Sequence, residues 1–167
     1  MRSTYVLPLL SFLSLSLSSV APSQDHRISP VSAYSSSECR VTKPNGRGPL
    51  GQPRGNTIYG NDALSTVLDP NGVVEFRPGG PGFVLPDGSL QMKFPWWRNS
   101  EAALEITGRR LDATAPPLRA EIGSSGDVHM VPTYLIFPST GCWEVSGKTG
   151  GVSLVFITEV VKIGNGP

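Results

Sequence analysis

Beyond Asn61 the apolar residues come in short runs, each cut off by turn formers. Residues 63–68 end at Asp69-Pro70-Asn71-Gly72, residues 73–76 at a Pro/Gly-rich stretch, and residues 83–85 at Pro86-Asp87-Gly88. Residues 89–94 alternate, with Leu90, Met92 and Phe94 on one face. Runs at 103–107, 118–122, 130–137, 142–145 and 152–161 follow, bounded by Gly, Pro or Asp. Short runs of this kind, with turn chemistry between them, predict an all-β sandwich or barrel. No window of helical length keeps a period of about 3.6 residues without a breaker, so no helix is expected.

Alternation also assigns faces, because successive strand residues point to opposite sides. Cys142 and Glu144 point one way, and Trp143 and Val145 the other. Lys148-Thr149-Gly150-Gly151 makes a tight connection into residues 152–161, which are partly apolar on both faces. A strand buried on both sides, or half-covered by a neighbouring segment, carries that pattern. Counting on from Leu90, Met92 and Phe94 places Trp96 inward and Trp97 outward, unless Pro95, expected to break the ladder there, rotates the pair. Upstream, residues 24–58 are rich in Ser, Pro, Gly, Asn and Arg, and their apolar residues stand singly. That texture predicts a flexible or extended arm ahead of a β-sandwich domain at 59–167.

Composition narrows the class further. Fourteen Lys and Arg against thirteen Asp and Glu give a net charge of +1, which removes the electrostatic reason to expect nucleic acid. Arg2 precedes a mostly apolar, serine-interleaved stretch at 6–20, and small residues follow at Ala21 and Ser23. This is the order of a secretory signal, predicted to span residues 1–23. The stretch is shorter and more polar than the ~20 apolar residues that span a bilayer, so no transmembrane helix is expected after cleavage. The expected location is secreted or periplasmic. Cys39 and Cys142 are the two cysteines, so a single intramolecular pair exists. Outside the cytosol such a pair in a small domain is expected to be a disulfide, here pinning the arm to the strand that carries Trp143.

The pattern Pro138-x-x-Gly141-x-Trp143-x-Val145, followed by a hairpin, resembles the penultimate strand pair of immunoglobulin-like sandwiches from bacterial extracytoplasmic proteins. More closely, Phe83-Val84-Leu85-Pro86-Asp87-Gly88, Lys93-Phe94-Pro95-Trp96-Trp97-Arg98 and Gly141-Cys142-Trp143-Glu144-Val145 resemble a family of uncharacterised secreted bacterial proteins. The resemblance spans about residues 59–167. It implies a small immunoglobulin-like antiparallel β-sandwich and an exported location, and it brings no activity or site residues with it. Trp143 directly follows its cysteine, whereas the core Trp of antibody domains sits on another strand, so that framework does not transfer.

Catalytic arrangements fail on residue type and spacing. The two histidines are His26 and His129. A Ser-His-Asp triad would draw on His129 and Asp127 without a G-x-S-x-G elbow. Cys142 as a nucleophile would need an adjacent base, and a structural sulfur beside Trp143 is the plainer reading. Glu101 and Glu105 read as separate acids on a solvated edge. The Gly-rich stretch 79–82 lacks the Lys-Ser/Thr of a phosphate loop. No enzyme and no cofactor are expected. His129-Met130 with Met92 offers soft ligands to copper, and Gln24-Asp25-His26 at a processed terminus offers a square-planar site. Met as core filler is the simpler account of the first. Trp96-Trp97-Arg98 has the composition of a partner-binding hot spot. The expected function is a non-catalytic extracytoplasmic module that binds a protein, glycan or envelope component. The alternatives are a structural or accessory domain without a ligand site, and a copper-handling protein.

Overall fold

Two sheets pack face to face around aromatic side chains, as the alternating runs require. The computed structural model describes residues 38–124 and 129–164, and these residues contain ten strands and no helix. The strands are β1 (Ile58–Gly60), β2 (Leu64–Val67), β3 (Val73–Phe76), β4 (Phe83–Val84), β5 (Leu90–Arg98), β6 (Glu105–Arg110), β7 (Arg119–Ile122), β8 (Met130–Phe137), β9 (Gly141–Thr149) and β10 (Val152–Lys162). One sheet has six strands in the order β1-β2-β5-β8-β7, with β4 beside β5; the other has four in the order β3-β10-β9-β6. Every pairing is antiparallel except β3 with β10, which is parallel. The fold is an all-β sandwich.

The core follows the alternation. Leu90, Phe94 and Trp96 of β5 and Val131, Leu135 and Phe137 of β8 face Trp143 and Val145 of β9 and Leu154, Phe156 and Val160 of β10. Phe156 is the hub: its ring lies 6.1 Å from both Phe94 and Trp96 and 6.5 Å from Tyr59. Gly150 and Gly151 turn β9 into β10 with φ of 53° and 83°, the left-handed pair that a type I′ hairpin demands.

Pro95 does not break β5. It stands opposite Pro132 of β8, and the two carbonyls face away from each other. Pro95 O accepts the Thr66 hydroxyl at 3.0 Å on the β2 side, and Pro132 O accepts the Gly123 N–H at 2.8 Å on the β7 side. Both prolines therefore occupy a cross-strand pair that makes no hydrogen bond between β5 and β8, and neither missing N–H interrupts that ladder.

The described part of the arm, residues 38–57, is tied to the sandwich. A disulfide joins Cys39 to Cys142 with Cα atoms 5.5 Å apart. Thr42 bonds Ile157 through both its N–H (2.8 Å) and its hydroxyl (2.9 Å). Asn45 exchanges bonds with the backbone of Gly60. Strand β1 begins inside the predicted arm. The predicted signal segment 1–23 and the Gln24-Asp25-His26 site lie outside the described residues.

Candidate functional site

The outer faces of the two sheets differ in chemistry. On the four-stranded sheet, Glu105, Thr107 and Arg109 of β6 lie opposite Lys148, Ser146 and Glu144 of β9. Arg109 and Glu144 form an ion pair at 2.8 Å, and Glu105 and Lys148 are complementary in sign. Such a face is satisfied by its own cross-strand pairs and by water. On the six-stranded sheet the outward residues of β5 and β8 pair as Trp97 with Met130, Pro95 with Pro132, Lys93 with Tyr134 and Gln91 with Ile136. This strip offers rings and pyrrolidines where β6 and β9 of the other sheet offer charges and hydroxyls, with Val155 and Ile157 of β10 beside them.

Its borders are set by side chains and by the arm. Gln91 Nε2 donates to Glu121 Oε2 at 3.1 Å, spanning β8, and Ile136 beneath is buried. Near β2, Gly48 of the arm lies so close to Ser65 that a Cβ there would meet the Ser65 hydroxyl at 2.9 Å. Between these borders Trp97, Pro95, Met130 and Pro132 are half-buried, while Lys93 and Tyr134 are exposed. Tyr134 stands in register between Lys93 of β5 and Glu121 of β7, a cation and an anion on either side of one aromatic.

The structure separates the three residues grouped from the sequence. Trp96 is fully buried in the core, whereas Trp97 lies on the outer face. Arg98 turns to the side opposite Trp97, where its guanidinium donates to the Ala102 carbonyl. The outward residues beside Trp97 are Met130, opposite it, and Pro95 and Pro132 one step along the strip, a group that the sequence reading does not assemble. The alternation within 130–137 is the signal for two of them.

Met92 packs on the core side, while Met130 lies on the outer face. They are offset by five residues along the sheet, about 17 Å, so His129, Met130 and Met92 do not converge. His129 Nδ1 instead lies 3.2 Å from the Arg98 carbonyl. Among the described residues no three His, Cys, Asp or Glu side chains are grouped to hold a metal. Asp127 lies outside the described residues. Glu101 and Glu105 are exposed.

Two open cavities flank β5 and β8. One of about 490 Å³ lies beside Asp87, Ser89 and Arg119, walled by Pro116, Pro117 and Pro138. The Ser89 hydroxyl and N–H hold the Asp87 carboxyl below its ordinary value of 3.8, with Arg119 at 3.0 Å assisting. The other, about 430 Å³, opens beside Met92–Pro95, with Val67, Leu68 and Val74 and the charged Asp69, Glu75 and Arg77 among its lining. No protein-family model, curated protein or solved structure matches the chain.

Proposed function

We propose that the protein is a non-catalytic, exported immunoglobulin-like module that docks a protein or glycan of the cell envelope on the outer face of its six-stranded sheet. The observation that carries this reading is the contrast between the two outer faces. One carries the Arg109–Glu144 ion pair and the polar cross-strand pairs of β6 and β9; the other presents Trp97 and Tyr134 around the Pro95–Pro132 pair. Proline brings no donor to be left unsatisfied, and Trp and Tyr supply large contact area at little cost in side-chain entropy. Lys93 and Glu121 flank Tyr134 and give the rim a polarity that fixes orientation. Export is supported by the disulfide, since the cytosol keeps thiols reduced, and by the order of charge and apolar residues at the amino terminus. No described helix is long and apolar enough to cross a membrane.

The test compares the parent, Trp97→Ser/Tyr134→Ser, and a control on the other face, Thr107→Ala/Ser146→Ala. Each is immobilised and challenged with envelope extract and with a glycan array. The control should capture what the parent captures, and the Trp97/Tyr134 variant should lose at least about tenfold in affinity, roughly 1.4 kcal/mol. Equal capture by all three would end this reading.

A further inference from the structure

At the β2 border of the docking strip the arm makes a loop, residues 47–54, whose neck is fastened and whose body is not. The Asn45 and Gly46 N–H groups donate to the Ile58 carbonyl at 3.0 and 2.8 Å, and the Ile58 N–H donates to the Gly55 carbonyl at 3.1 Å. The Arg47 N–H donates to Asn45 Oδ1 at 3.0 Å, also at the neck. Gly46 and Gly55 hold φ of 70° and 139°, conformations open to glycine. A Cβ on Gly46 would stand 3.6 Å from the Gly55 carbonyl oxygen, so the two ends of the loop adjoin. Among the described residues no backbone hydrogen bond links 47–54 to a strand. The Gln52 N–H turns back to the Pro49 carbonyl at 3.1 Å, and Arg54 donates to the Gly48 carbonyl at 3.4 Å, both within the loop. The Arg47–Asp62 pair at 3.3 Å is exposed on both sides and contributes little. Leu50, at the tip, is 91% exposed and anchors nothing.

What this loop covers is Ser65. Gly48 and Pro49 are its buried residues, and a Cβ on Gly48 would meet Ser65 Oγ at 2.9 Å. Ser65 is fully buried, and its hydroxyl has no hydrogen-bond partner among the described residues. It stands opposite Trp97 in the pairing of β2 with β5 and so shares the outer face with it. A buried hydroxyl without a partner favours any state in which water or a ligand reaches it. We propose that residues 47–54 are a lid on the β2 end of the docking face, hinged at Gly46 and Gly55, which lifts to bare Ser65 beside Trp97. Closed, the lid takes water from the hydroxyl without replacing its bonds. Lifted, it adds a hydrogen-bonding group to the Trp97, Pro95 and Pro132 surface. Segments with so few anchoring contacts open at low free energy, without unfolding of the core. The lid rests on the docking reading only for the use of the uncovered face; its opening needs no partner.

The test is made on the isolated full chain, so that its failure and a failure of the docking reading are told apart. Trypsin cleavage after Arg54 under native conditions follows the lifted population. Gly48→Ala sets a Cβ against Ser65 Oγ and 3.2 Å from the Pro53 carbonyl oxygen, and should speed that cleavage at least about tenfold. Ser65→Ala removes the unpaired hydroxyl and should slow it at least about threefold. Trp96 and Trp143 are fully buried, so acrylamide quenching reports Trp97 and should rise with Gly48→Ala. Cleavage after Lys148 of β9 gauges opening of the whole fold and should stay at the parent's rate in that variant. Equal cleavage after Arg54 in all three proteins overturns the proposal. So does an acceleration shared by Lys148, or faster cleavage without a gain in Trp97 quenching. Should Gly48→Ala fail to fold, Ser65→Ala against the parent carries the test alone, and cleavage that it does not slow overturns the proposal.

Discussion

Gly147 lets Trp96 reach across the sandwich. A Cβ at Gly147 would stand 2.5 Å from the Trp96 ring, well inside contact distance, and that ring is locked between Gly147 and Phe156. Gly147→Ala should therefore destabilise the fold by about 1–3 kcal/mol or more through overpacking, read as a lower urea midpoint. An unchanged midpoint would mean that the two sheets separate more easily than their packing implies. Asp87 gives a second prediction at this scale. The Ser89 hydroxyl and then the Ser89 N–H favour its ionised form most strongly and hold its folded pKa below 3.8; desolvation opposes them by less than either Ser89 bond, and Arg119 adds smaller favourable contributions. A depressed carboxylate contributes stability above its unfolded pKa and loses that contribution as pH falls through the folded value. Ser89→Ala should move the Asp87 titration, followed by NMR, upward toward 3.8, and should make acid unfolding less dependent on this group. A titration that stays in place would assign the shift to Arg119 instead.

At the scale of elements, the sequence was legible wherever a strand is defined by its own alternation. The run 130–137 became β8 with the same bounds, and residues 152–161 became β10 with one residue added. Elements defined by a partner were not legible. Strand β1 is three residues long and exists because Ile58–Gly60 lies against β2, so nothing in its own pattern announced it. The parallel seating of β3 on β10 likewise joins residues 86 apart in the chain, a relation that no local period encodes. Pro95 looked like a stop in isolation and is harmless beside Pro132, again because of register. The candidate site divides the same way. Counting from Leu90 put Trp96 inward and Trp97 outward, and the structure agrees. Grouping Trp97 with Arg98 failed, because neighbours in sequence occupy opposite faces of a strand while neighbours on a face come from β8.

At the scale of the whole molecule, one covalent bond joins the amino-terminal arm to the penultimate strand across a sequence separation of 103 residues. In the chain-entropy account, closing a loop of that length raises folding stability by about 4–5 kcal/mol. A domain of this size has only about 5–15 kcal/mol in all, so the bridge decides much of its resistance to unfolding. The two half-cystines are not equivalent. Cys39 is partly exposed, whereas Cys142 is buried. Cys39→Ser should lower stability by the loop term alone and should match the parent under reducing conditions. Cys142→Ser also buries a hydroxyl in place of sulfur and should fall lower by a further 1–3 kcal/mol or about that. Urea unfolding of the two variants, and of the parent with and without dithiothreitol, orders them directly. The bridge also restrains Thr42 against Ile157 of β10. Cutting it should therefore speed amide exchange at Ile157, whose N–H bonds the Thr42 hydroxyl, before exchange rises at Trp143 and Val145 in the core. Uniform acceleration at all three positions would show that the bridge supports the sandwich as a whole and does not fasten the arm. Equal urea midpoints for the oxidised and reduced parent would remove it from the stability argument altogether.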